Sequence, residues 1–395
     1  MVNSIDNRFL STFACHSSKT RGRIYKDEPL ILGRSEFQRD RDRIIHSEAF
    51  RRLKDKTQVF VYDDGDHYRT RLTHTIEVAQ IARSIAKALN VNEDLAETIS
   101  LAHDLGHPPL GHRGEEVLKK LMFNLGGFNH NVQTVRIITF LEKKYYNFEG
   151  LNLTIETLEG LIKHNGPYLD NKKIPPYILE INKLISLDLN NFPSIEGQVA
   201  NISDDIAYLT HDFDDGLRKK LFTINQLREI KIVDLIIEKI EKKFPSIQYD
   251  ILIHQFIRHL ISYFINDIVL TSKLIINKNN FKTVDDIRNF DRNVVQLSAI
   301  AFKNMEQIRT FLFKNMYHNK SILDNLNKAS LMIDKLFSLY NKDINLLPKQ
   351  WRNLRGVPLS SLSKIDKARV IVDYIAGMTD IFLKKEYLKF YKEED

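Results

Sequence analysis

His103-Asp104-Leu105-Gly106-His107-Pro108-Pro109-Leu110-Gly111-His112 places three histidines and an aspartate within ten positions. An imidazole nitrogen beside a carboxylate oxygen is the donor pair that a hard or borderline divalent ion takes. The largely apolar run before it, Leu95 to Ala102, reads as a helix opened by Asn92 and Glu93, and Gly106, Pro108 and Pro109 forbid its continuation. The His-Asp pair therefore stands where a buried helix ends, and the loop beyond folds two more histidines back towards it. A histidine at a helix end is often only a cap or a packed core residue, so the weight rests on what joins it.

Two other stretches join it. Thr73 reads as an N-cap, with Glu77 in the first turns and Ile76, Ala79, Ala82, Ile85, Ala86 and Leu89 on one face, so a helix opens at His74. The short connection to the 93–104 helix makes the two antiparallel, which sets His74 beside His103 and Asp104. Further on, Pro193-Ser194-Ile195-Glu196 starts a helix whose Asp204, Tyr208, His211 and Asp212 share a face. Ile202, Ile206 and Leu209 bracket Asp204, and a carboxylate among apolar neighbours must be paired or bound to a metal.

The 395 residues suffice for a large core and allow two or three domains. With 43% apolar and 28% charged residues the composition is that of a soluble globular chain. The single cysteine, Cys15, excludes an internal disulfide framework and any cysteine-rich zinc knuckle. Met1 to Thr20 holds no apolar stretch of signal-peptide length, and no uninterrupted apolar run approaches the ~20 residues of a membrane span. A cytoplasmic protein without a membrane partner is the expectation. The net charge of +7 is uneven, with 12 Lys+Arg against 7 Asp+Glu between Lys19 and Lys56. That excess reads either as a solvated surface or as a basic wall for a polyanion.

The remainder is helical. Arg39 to Lys54 reads as a short helix with one apolar face and a cationic edge. Residues 55–70 are turn-rich, and Val59-Phe60-Val61-Tyr62 is the one convincing strand signal, in a small β-hairpin. Helices follow over Glu115–Met122, from Asn129-His130, and over Thr154–His164, the last stopped by Asn165-Gly166-Pro167. Long amphipathic stretches cover about 226–243, 248–276, 292–315, 320–341 and 364–390. The class is all-α, and no glycine-rich phosphate loop of either familiar kind is present, so phosphate would have to be gripped by side chains. Arg71, His107, His112 and His130 are the supply.

His74, then His103-Asp104, then a distant Asp204 resembles the metal-binding pattern of the HD-domain phosphohydrolases. The blocks Glu48-Ala49-Phe50-Arg51-Arg52-Leu53, Asp55-Lys56-Thr57-Gln58-Val59-Phe60, Arg71-Leu72-Thr73-His74-Thr75, Gly127-Phe128-Asn129-His130-Asn131 and Asp204-Asp205-Ile206-Ala207-Tyr208 narrow it to the deoxynucleoside triphosphate triphosphohydrolases, the dGTPase family. Asp373 to Asp380 is similar to that family's C-terminal helix. The matches cover roughly half of the chain.

The resemblance implies an HD-domain helical bundle with extra C-terminal helices, divided as an arm (1–37), a phosphohydrolase core (38–220) and a helical region packed on it (221–395). It implies hydrolysis of deoxynucleoside triphosphates (dNTPs) to deoxynucleoside and tripolyphosphate. His74, His103, Asp104 and Asp204 would hold a divalent metal: Mn, Mg or Fe, with Ni, Co and Zn as further candidates. His130 would be the catalytic acid, with Glu115 and Asn131 orienting; Gln58, Arg71, His107, His112, Tyr208 and Asp212 would meet the substrate. It also implies a homo-oligomer and allows a regulatory dNTP. Where a vertebrate branch has lysine after the metal aspartate this chain has Asp205, so that phosphate contact would come from Arg352, Arg355 or Arg369. The rival readings are another HD-type nucleotide phosphohydrolase or phosphodiesterase, and a single-stranded nucleic-acid-binding protein using the basic N-terminal segment.

Overall fold

The computed structural model describes residues 10–29, 33–58 and 69–391. Seventeen α-helices occupy them: α1 (Glu36–Ile45), α2 (Glu48–Arg52), α3 (Arg71–Leu89), α4 (Glu93–Ala102), α5 (Gly111–Leu121), α6 (His130–Arg136), α7 (Ile155–Ile162), α8 (Pro176–Ile185), α9 (Ile195–Arg218), α10 (Ile224–Leu227), α11 (Lys231–Lys243), α12 (Tyr249–Asn279), α13 (Val284–Arg288), α14 (Ala299–Leu312), α15 (Lys320–Lys342), α16 (Lys364–Ala376) and α17 (Asp380–Leu388). The all-α class stands. The small sheet among the described residues is β1 (Asn353–Leu354) against β2 (Val357–Pro358), antiparallel. The hairpin expected at 59–62 lies outside the described residues.

Side-chain caps set most boundaries, and they move several expected ones. Thr70, not Thr73, caps α3: its hydroxyl accepts from the Thr73 N–H while Thr73 Oγ1 accepts from the Thr70 N–H. The helix thus opens at Arg71, and Arg71 and His74 fall one turn apart on one face. The single helix expected over 39–54 is broken, because Ser47 Oγ accepts from the Phe50 N–H and starts α2 afresh. Helix α5 begins four residues before Glu115, which puts His112 and Glu115 in adjacent turns. The 364–390 stretch divides at Gly377, where Thr379 caps α17. Helix α8, with Pro176 at its first position, had no counterpart in the sequence reading.

Helices α3, α4 and α9 pack on one another and carry the expected His74, His103-Asp104 and Asp204 inward. Asn90, in the left-handed conformation, ends α3 and turns the chain into α4. One apolar cluster runs from α3 and α9 through α12 and α14, including Val78, Ile85, Phe213, Phe256, Phe264 and Ile308. A second lies under α1, α4 and α7, and a third joins α5 to α15 and α16. By length and composition α12 could cross a membrane. Its Leu252, Phe256, Leu260, Phe264 and Ile268 face is buried in the first cluster, while Leu270 and Leu274 are exposed.

The turn after α4 lies directly on α6. A Cβ added at Gly106 would stand 2.1 Å from His130 O and 2.2 Å from Thr134 N. Both obstructions are backbone and cannot rotate away, so only glycine fits. Gly106→Ala is expected to lower unfolding stability by about 3 kcal/mol, the upper end of overpacking costs. Urea denaturation measures this, and an unchanged midpoint would show that the two segments need not touch.

Candidate metal centre and active site

Three of the four expected ligands have donor atoms within 4.8 Å of one another: His74, His103 and Asp204. His74 Nε2 lies 3.1 Å from Asp204 Oδ1, and His103 Nε2 lies 3.6 Å from the same oxygen. Asp104 flanks them, its Oδ1 3.5 Å from His103 Nε2 and its Oδ2 3.8 Å from His74 Nε2. Asp104 is also held by Arg71 Nη1 at 2.8 Å and by His107 Nε2 at 3.2 Å.

Neighbouring groups set which imidazole nitrogens face this centre. His103 Nδ1 meets Ser100 O at 2.6 Å, which takes its N–H and leaves Nε2 as the nitrogen facing the centre. His74 Nδ1 meets His211 Nε2 at 2.8 Å, and Nε2 is again the nitrogen turned inward. His103 Nε2 is buried with no hydrogen-bond partner, between two carboxylates. Imidazole nitrogens converging with carboxylate oxygens on one point are a donor set that fits a divalent cation. Burial disfavours charge on His103, yet Asp104 and Asp204 outweigh it and raise its pKa to about 9. Burial likewise opposes ionisation of Asp104, but Arg71 and then His103 hold it well below the usual carboxylate range.

Against this centre stands a second group. His107 and His130 stack with ring centroids 3.9 Å apart, and His112 lies 5.2 Å from His107. Glu115 collects them: its Oε2 is 2.9 Å from His130 Nδ1 and 3.6 Å from His112 Nδ1, and its Oε1 accepts the His130 backbone N–H at 3.1 Å. Despite burial, contacts with His112 and His130 keep Glu115 far below an ordinary glutamate. His130 Nδ1 is therefore occupied by an anion and its Nε2 is the available nitrogen. Of the two residues expected to orient, Glu115 makes the contact to His130, while the Asn131 backbone N–H goes to the capping Asn129 side chain.

Gln58 is buried beside this region with Oε1 unpartnered. Tyr208 stacks on Tyr317 at 5.8 Å, and the Tyr317 hydroxyl donates to Asp212. Burial pushes Asp212 up to about 7. Asp205 pairs with Arg309 of α14, which also reaches Glu306 at 2.7 Å. The three arginines expected to replace a lysine there are engaged elsewhere. Arg352 Nε donates to Leu347 O, Arg355 pairs with Glu149, and Arg369 donates to Gly126 O and Gly127 O ahead of His130. The cation beside position 205 is Arg309.

Three more residues enter this neighbourhood, of which only His211 has a signal in the sequence. His164 Nε2 lies 3.4 Å from Asp204 Oδ2; it had been read only as the end of a helix, with no pattern to mark it. His211 was placed on the Asp204 face, two turns on, and that spacing was its signal. Tyr317 arrives on a π-helical turn, Phe313–Tyr317, that the α-helical period does not anticipate.

Residues 71–209 match the HD domain, and residues 295–389 match the phosphohydrolase-associated domain. Proteins called deoxyguanosinetriphosphate triphosphohydrolase-like are similar over nearly the whole chain. The one from Rickettsia rickettsii (strain Iowa) is 45% identical, over 96% of this chain and 97% of its own. The one from Bartonella quintana (strain Toulouse) is 43% identical, over 96% and 94%. The chain belongs to the deoxyguanosinetriphosphate triphosphohydrolase-like family of HD-domain phosphohydrolases, and so to the hydrolases. A hypothetical protein from Aquifex aeolicus aligns over 89% of this chain and 68% of that one at 19% identity, with a TM-score of 0.42, too distant to support an argument.

The raised His103 yields a prediction about metal uptake. Near pH 7 the imidazole carries a proton that a cation must displace, so binding should release about one proton and weaken as pH falls. Calorimetry of Mn²⁺ binding in two buffers of different ionisation enthalpy counts that proton. Buffer-independent heats would remove His103 from the ligands.

Proposed function

We propose that this chain hydrolyses deoxynucleoside triphosphates to deoxynucleoside and tripolyphosphate, acting in the cytoplasm with a divalent metal held by His74, His103, Asp104 and Asp204. The observation that carries the reading is the contact chain from Asp104 through His107 to His130, at 3.2 Å and then as ring stacking at 3.9 Å. It supports reading the proposed cation site and the proposed acid as neighbours, an arrangement suited to cleavage of a phosphate ester. A divalent ion there would supply Lewis acidity, offsetting phosphoryl charge and making water a better nucleophile.

The rest falls to the chain's own residues. Water adds to the α-phosphorus, the bond to the 5′ oxygen breaks, and His130 Nε2 delivers its proton to that oxygen. Glu115, anionic and bonded to His130 Nδ1, stabilises the imidazolium that precedes transfer. Burial, with Arg71 and His130 next, holds His107 neutral; with its Nε2–H on Asp104, the unpartnered Nδ1 is an acceptor, suited to a water or hydroxyl at the substrate rather than to a phosphate oxygen. Arg71 is the phosphate cation closest to the ligands: Nη1 is on Asp104, while Nε and Nη2 have no partner. His112, the most exposed of the three histidines, would contact the α-phosphate side, and Arg309 would replace the lysine missing after Asp204. Gln58, Tyr208 and Asp212 would face the sugar, Asn131 supporting the loop at His130. A regulatory dNTP and a homo-oligomer belong to the same reading, as does the division at residues 38 and 220.

The nucleic-acid alternative draws little support from the N-terminal arginines. Arg23 binds Glu36 and Asp40, Arg43 binds Asp27, and Arg41 binds Asp94 and Glu97. Their charge is matched internally.

Product analysis with each dNTP and Mn²⁺ or Mg²⁺ tests the reaction. Deoxynucleoside and tripolyphosphate are expected; dNMP with pyrophosphate, or dNDP with phosphate, would mean that a phosphoanhydride bond and not the 5′ ester is cleaved. His130→Ala should keep metal and melting temperature while losing roughly 10²–10⁴-fold in kcat. Lost metal would make His130 a ligand, and near-normal turnover would return it to a packing role.

A further inference from the structure

A cavity of about 650 Å³ lies apart from the histidine cluster, between α2, α6 and the following π-helical turn on one side and residues 350–382 on the other. That volume is in the range of small-molecule sites. Its wall is aromatic on several sides, with Phe140, Trp351, Tyr374 and Phe382, and carries side-chain amides from Gln133, Gln350 and Asn353. Trp351 and Tyr374 meet at 5.5 Å and 52°, and the Arg355 guanidinium lies 4.8 Å over the Phe140 ring.

Charge decides what this cavity can take. Its lining holds three cations and four acids, a formal excess of one negative charge. Arg355 is paired with Glu149 at 2.9 Å, Arg52 lies 3.5 Å from Glu48, and Asp373 is matched by Arg136 from behind the wall. With Asp373 matched from behind, the wall is close to neutral and holds no excess of cations to offset a triphosphate. Two lining residues keep a buried polar atom without a partner: Gln133 Oε1, an acceptor, and Arg52 Nε, a donor. An unpaired buried polar group is costly, and a small rotation would bring each to a ligand that carries both hydrogen-bonding kinds.

We infer that this cavity is a second binding site, for an uncharged planar heteroaromatic molecule of nucleoside size. Aromatic faces favour a stacked base, amides and the unpaired donor and acceptor favour its polar edge, and the lack of an excess of cations disfavours phosphates. The site is also wired to the catalytic group. Gln133 and Ile137 continue the helix opened by His130, and the Asp373–Thr379 wall leads into Asp380, which accepts from Leu110 N at 2.9 Å and from Thr57 N at 2.8 Å. An occupant therefore bears on both sides of the histidine cluster without entering it.

Trp351 is the only tryptophan in the chain, so its emission reports this cavity. Titration of the full protein with 2′-deoxyguanosine, 2′-deoxyadenosine, thymidine and 2′-deoxycytidine should give saturable quenching by at least one of them. Half-saturation is expected below about 1 mM. A non-hydrolysable dNTP analogue should need at least about tenfold more, and when it fills the catalytic site it should leave the nucleoside titration unchanged. Phe140→Ala should weaken nucleoside binding about tenfold, and Gln350→Ala, at an exposed position that spares the fold, about threefold. The change in turnover caused by nucleoside should persist at saturating dNTP. No quenching and no calorimetric heat, displacement by the triphosphate analogue, or wild-type binding in both variants would each overturn the site. A protein that binds nucleoside but makes no tripolyphosphate would keep this inference and lose the proposed reaction; the reverse result would separate them the other way.

Discussion

The missing side chain at position 106 is the constraint on which the site depends. It lets the turn after α4 lie on the first turn of α6, and the Thr134 hydroxyl then bridges the two, accepting from the Gly106 N–H at 2.9 Å and donating to His103 O at 3.0 Å. The turn carries His103, Asp104 and His107, while α6 begins with His130. A single close approach thus sets the distance between the proposed metal ligands and the proposed acid. Catalysis needs such positions held to fractions of an ångström, and a backbone contact closed by a hydroxyl is stiffer than one made by long side chains.

A second layer of buried polar contacts holds the turn from its far side. Lys56 Nζ donates to His107 O and, at 2.9 Å, to Ala376 O, while Asp380 takes the Thr57 and Leu110 N–H groups. The C-terminal helices are therefore bonded to the loop that carries His107. Burial, then repulsion from Arg52 and Arg71, lowers Lys56 to about 7, so this ammonium is held at an electrostatic cost that its two carbonyls and Asp380 offset only in part. Buried charges of this kind define a geometry more than they stabilise a fold. The same economy explains the N-terminal arginines, whose partners lie on α1, α4 and the strap of chain before them.

Sequence alone was enough for what depends on local chemistry. Gly106, Pro108 and Pro109 had to end a helix, Asn92, Asn129, Thr154 and Ser194 had to cap one, and a short link between α3 and α4 had to make them antiparallel. His74, His103, Asp104 and Asp204 followed from those periods, and resemblance supplied His130, Glu115 and the reaction class. What only the tertiary structure decided involves partners distant in sequence: which of Glu115 and Asn131 bonds His130, Arg309 rather than any of three later arginines beside Asp205, His164 against Asp204, and the cavity closed between α6 and residues 350–382. A repeat of 3.6 residues says which face of a helix is buried, but not which residue of another helix meets it. That pairing is settled by side-chain volume and charge matching once the helices are packed, and neither leaves a local trace in the chain.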